Sequence, residues 1–140
     1  MNAKKITGKF DVKLTPSSTY ATGVDGVALG RMTLDKTFYG ELEARSQGEM
    51  LSAMTSVKGS AGYVAIEQVV GNLCGKQGSF LLQHFGIMTD GQNRLILEVV
   101  PHSGAGELQG LSGTMAISIE NGQHFYEFQF GFETRAEPEF

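Results

Sequence analysis

Glu67 and His84 are the two side chains best placed to do chemistry together. They lie in adjacent period-two runs, Tyr63–Leu73 and Ser79–Met88, that read as one β-hairpin. A loop at Lys76-Gln77 would set Val69 opposite His84 and Glu67 opposite Gly86. The acid and the imidazole would then be diagonal neighbours on one face, about 7–8 Å apart at Cα. Tyr63, Phe80 and Leu82 share that face. In an apolar interior, low dielectric shifts the pKa of both groups, and such a pair can hold a polar head group or exchange protons with it. A structural hydrogen-bonded pair uses the same residues. A one-residue slip would replace His84 by Gln83.

Other reactive side chains are poorly arranged. His84, His102 and His124 have no metal-ligand spacing, so neither metal nor cofactor is expected. His102 and Ser103 are adjacent and would point to opposite faces of a strand. Cys74 sits at a tight corner without a base beside it. Gly104, Gly106 and Gly110 lack the spacing and the following helix of a phosphate loop.

The composition excludes several classes. Fifteen acidic and 11 basic side chains give a net charge of −4, and the cations are scattered, unlike a nucleic-acid surface. The single cysteine allows no intrachain disulfide. No apolar run approaches the ~20 residues of a membrane helix, and Met1–Phe10 lacks the apolar core of a signal peptide. These features point to a soluble cytoplasmic protein. The 140 residues read as a single domain, 1–140, with 134–140 as a frayed acidic tail.

The elements that must position Glu67 and His84 are strands joined by glycine corners. Gly71–Phe80 reads GNLCGKQGSF and Gly106–Met115 reads GELQGLSGTM, with a looser copy, GELEARSQGEM, at Gly40–Met50. Each copy is expected to be a hairpin corner. Asp90-Gly91 and Asn121-Gly122 are further turn signals. Strands are expected at Leu29–Leu42 and near Gln47–Thr55, and Ile6–Leu14, Arg94–Val100 and Thr114–Ile119 carry further strand patterns. In the last strand Tyr126, Phe128, Phe130 and Phe132 alternate with polar or outward positions. The whole is an all-β, antiparallel closed barrel of about eight strands, mostly a meander and calycin-like. That size fills its interior with side chains or holds one small ligand.

Gly62–Gly71 (GYVAIEQVVG), Gly78–Gly86 (GSFLLQHFG) and Val99–Gly113 (VVPHSGAGELQGLSG) resemble a bacterial family of unknown function whose barrel is similar to allene oxide cyclase. The resemblance implies an eight-stranded barrel with an internal cavity, and oligomers occur among the cyclases. It implies no activity, because the cyclases' polar residues are not matched one by one in this chain.

The functional expectation is a barrel that binds a small apolar or amphipathic molecule. Glu67 and His84 would supply the polar end, Tyr63, Phe80 and Leu82 share their face, and Phe128 and Phe130 would line the apolar end, with Tyr126 a further pocket candidate. An isomerase or cyclase acting on such a molecule is the second reading, and a packed structural homo-oligomer without ligand the third. The opposite hairpin face carries Val64, Ile66, Phe85 and Ile87, and a second subunit is the simplest cover for Ile66, Phe85 and Ile87.

Overall fold

Three two-residue turns set the architecture. In the computed structural model, which describes residues 3–133, Cys74-Gly75, Asp90-Gly91 and Asn121-Gly122 all have positive φ at both positions. That is the type I′ geometry whose twist matches the strands it joins. Cys74-Gly75, not Lys76-Gln77, therefore turns the Glu67–His84 hairpin. The Gly75 amide donates to Asn72 Oδ1 at 2.7 Å and the Cys74 amide to the Glu41 carbonyl at 2.7 Å, which hold Cys74 in its left-handed conformation.

The strands are β1 Lys4–Ser17, β2 Ala28–Tyr39, β3 Leu42–Met54, β4 Ala61–Leu73, β5 Lys76–Thr89, β6 Gln92–Val99, β7 Ala105–Gly106, β8 Leu111–Glu120 and β9 Gln123–Phe132. Eight of them close antiparallel in the order β1-β2-β3-β4-β5-β6-β8-β9, with β9 returning to β1. The short β7 pairs outside this ring with β5. No helix occurs among the described residues, so none there is long and apolar enough to cross a membrane. The tail at 134–140 lies outside the described residues.

Two expectations about corners change. The run from Leu29 to Leu42 is not one strand: β2 ends at Tyr39, and Gly40-Glu41 turn the chain so that Leu42 opens β3. Gly106–Met115 is not a hairpin corner. Pro101 has no amide to extend β6. The chain then crosses the barrel end as β7, held by Glu107 N donating to Gln77 O at 2.9 Å, before β8 starts. This crossing buries Leu108 in the core.

Alternation places one set of side chains inside. Phe10, Phe38, Val69, Phe80, Leu82, Leu97, Met115, Tyr126, Phe128 and Phe130 form a continuous buried cluster. Phe80 stacks on Phe128 with ring centres 5.9 Å apart, and Phe130 lies 5.0 Å from Phe128. These rings and Leu108 close the end of the barrel that holds the Cys74-Gly75 turn.

The opposite end is different. It carries the turns after β1, β3, β5 and β8. Leu14 has the inward parity of Phe10, Met54 that of Ser46, and Ile119 that of Met115, yet they are 46%, 61% and 62% exposed. Met32, Met50, Met88, Leu95 and Ile117 are inward by the same count and only partly buried. The barrel is packed solid at one end and presents an apolar mouth at the other.

Candidate functional site

Between packed end and mouth lies a polar cluster drawn from four neighbouring strands. Lys36 of β2, Ser46 of β3, Glu67 of β4 and His84 of β5 all have inward parity, and all are buried. Glu67 is the hub, with no exposed surface. Its Oε2 accepts from Lys36 Nζ at 2.7 Å and contacts His84 Nε2 at 2.5 Å, while its Oε1 accepts from the Ser46 hydroxyl at 2.7 Å. Tyr63 completes the chain, its hydroxyl 3.2 Å from His84 Nδ1.

The backbone makes room for this chain. Gly48 stands opposite Glu67, and a Cβ there would fall 2.1 Å from the Ile66 carbonyl oxygen and 2.7 Å from Glu67 Cα. Gly86 stands opposite Tyr63, and a Cβ there would fall 2.2 Å from the ring. The Tyr63 ring therefore lies flat over Gly86, which brings its hydroxyl to His84. Lys36 has further support from Phe10 and Phe38, whose ring centres lie 5.0 and 5.7 Å from its ammonium.

Electrostatics follow from these contacts. Burial pushes the Glu67 carboxyl up, but the His84 hydrogen bond and the charge and hydrogen bond of Lys36 outweigh it and hold the group down at about 2. Glu67 is thus an anion. Nε2 of His84 must carry a proton to approach it at 2.5 Å. In the neutral imidazole, Nδ1 is then the acceptor for the Tyr63 hydroxyl. Burial, and next the negative charge of Glu67, raise the Tyr63 pKa, so the phenol keeps its proton at neutral pH. Every buried side-chain polar atom among the described residues has a hydrogen-bond partner. Tyr63 is the member of the chain that is only partly buried.

Hairpin and site together match one family model. The model of a protein family of unknown function, DUF3224, covers residues 6–130. The chain belongs to the DUF3224 family. It is also similar to a crystal structure of a DUF3224 protein of unknown function from Shewanella oneidensis MR-1. The two are 83% identical, with a TM-score of 0.93 over 95% of this chain and 100% of that one. No curated protein matches the chain. The site must therefore be read from its own geometry.

The structure brings Glu67, His84 and Tyr63 together. Phe80, Leu82, Phe128 and Phe130 are collected beneath them in the core. Tyr126 points to the closed end, where its hydroxyl donates to the Tyr39 carbonyl at 2.9 Å. Ile66, Phe85 and Ile87 are on the outer face. Lys36 and Ser46 were absent from the sequence-based site. Their signal was parity: Lys36 falls between Leu34 and Phe38, and Ser46 follows Leu42 and Ala44, each at inward spacing. A cleft of about 550 Å³ runs among Asp11, Lys13, Asp35 and Arg45 and reaches Lys36 and Ser46 of the cluster, and another, about 930 Å³, follows the β6–β8 connection away from it.

Proposed function

We propose that this DUF3224 protein binds a small amphipathic molecule at the open end of its barrel. The apolar part rests among Leu14, Met32, Met50, Met88 and Ile119, and the polar end meets the Tyr63 hydroxyl. The observation that carries this reading is the asymmetry of the barrel. Inward-facing apolar side chains stay exposed at one end only, and directly below them stands a hydrogen-bonded polar chain. Methionine suits such a mouth because its flexible thioether adapts to ligand shape. Phe80, Leu82, Tyr126, Phe128 and Phe130 serve as the packed floor. Glu67 orients His84, and His84 orients Tyr63.

A second reading has one specific observation in its favour. Tyr63, His84 and Glu67 form an acid–base series of the kind an isomerase or cyclase would use, with a phenol at the mouth and an anion behind the imidazole. The likeness to the cyclase barrels, carried by the glycine framing, belongs with this reading. We place the protein in the cytoplasm, where its lone cysteine would stay reduced.

Native mass spectrometry of the untreated protein tests the binding reading. It should show an added mass on the folded chain, lost on unfolding. Purified protein should bind decan-1-ol more tightly than decane, and Tyr63→Phe should erase that preference with the fold intact. A bare mass with no binding of either probe would leave the packed, ligand-free barrel as the answer. Turnover of a bound carbonyl compound, abolished by His84→Ala, would favour the enzyme.

A further inference from the structure

The outer face of β3–β6 carries an apolar row that the interior site does not use. Leu51 stands opposite Val64, Val64 opposite Phe85, and Phe85 opposite Ile96, so four side chains cross four strands in one line. All four are between 40% and 55% exposed. Ile66 and Ile87 extend the patch on either side of the line. Four strands about 4.8 Å apart and five residues of about 3.3 Å give a footprint on the order of 300 Å².

We propose that this face joins two copies of the chain, with the two-fold axis running along the Leu51–Ile96 row. The charges beside the row select this arrangement. Toward the closed end the neighbouring positions run Glu49, Ile66, Gln83, Glu98, and toward the open end Ala53, Gly62, Ile87, Arg94. Rotation about the row lays Val64 and Phe85, at its middle, on their own counterparts and exchanges the two flanking lines. Glu98 then meets Arg94 of the partner subunit, and Ile66 meets Gly62 of the partner subunit. Rotation about the strand direction would instead set Glu49 against Glu98 of the partner subunit, a like-charge contact. Glu49 is already held by Arg31 on its own chain, at 2.5 Å. The face is thus self-complementary under one operator, which is what an isologous dimer requires.

Sedimentation velocity of the full chain from micromolar to millimolar concentration tests the proposal. A dimer is expected. Val64→Glu and Phe85→Lys, both on the outer surface, should give monomers with an unchanged circular dichroism spectrum. Arg94→Glu should weaken the dimer about ten-fold or more, and adding Glu98→Arg should restore it. A wild-type monomer at millimolar concentration, or a dimer indifferent to Val64→Glu and Phe85→Lys, would overturn the interface. Failure of the charge swap to restore the dimer would overturn the axis.

Discussion

Glu67→Gln is the most informative single change, because the carboxylate accepts three hydrogen bonds and has no solvent to replace them. The amide oxygen would still accept from Lys36 and His84 and its NH2 would turn to the Ser46 hydroxyl, but the Lys36 ammonium would be left buried without a counter-ion. Breaking a buried pair in this way costs about 3–5 kcal/mol. The lowered pKa gives a consistent figure: a drop from 4.5 to about 2 corresponds to about 3 kcal/mol. Because the folded value is depressed, this stabilisation is complete above about pH 4.5 and fades as pH falls through about 2. Urea unfolding at pH 7 should therefore show Glu67→Gln destabilised by about 3–5 kcal/mol. Lys36→Met/Glu67→Gln should recover at least about 2 kcal/mol of the summed single-mutant losses. Repeated between pH 5 and 2, wild-type stability should fall more steeply than that of the double variant. Additive losses within about 0.5 kcal/mol, or parallel pH profiles, would refute the coupling.

Gly86→Ala should lift the Tyr63 ring from its seat and break the contact with His84, seen as a changed imidazole ¹⁵N spectrum while the barrel's circular dichroism persists. An unchanged imidazole would show that Gly86 does not seat the ring. Gly75→Val should cost about 1–3 kcal/mol in thermal or urea unfolding. Nothing lies within 4 Å of a Cβ at that position, so the cost is the positive φ of 89° alone, and an unshifted midpoint would refute it.

The pairing of Glu67 with His84 was legible in the sequence for a reason that tolerates error. Moving the turn from Lys76-Gln77 to Cys74-Gly75 changes the register by an even number of residues, so both side chains stay on one face. Their exact opposites changed: Glu67 faces Leu82 and His84 faces Ala65. A cysteine in the left-handed region is a weak turn signal, and here Asn72 supplies the missing support. Lys36 escaped notice because a lysine among apolar alternation reads as an edge charge. Its burial depends on Glu67, 31 residues away in sequence. The Gly106–Met115 repeat misled because similar glycines serve a different end there, allowing the chain to pass close over Gly78. The open mouth depends on how far each strand runs beyond its neighbours. Alternation shows which side faces in, and it does not show where the interior stops being covered.

Binding of an amphipathic molecule at the open end of the barrel would be read at the mouth itself by methionine methyl NMR. Titration with decan-1-ol should shift the ε-methyl signals of Met32, Met50 and Met88 together and saturably, while Met115, buried in the core, stays in place. Methyl signals that do not move, or that drift without saturation and equally in Met115, would mean that the open end is no binding site.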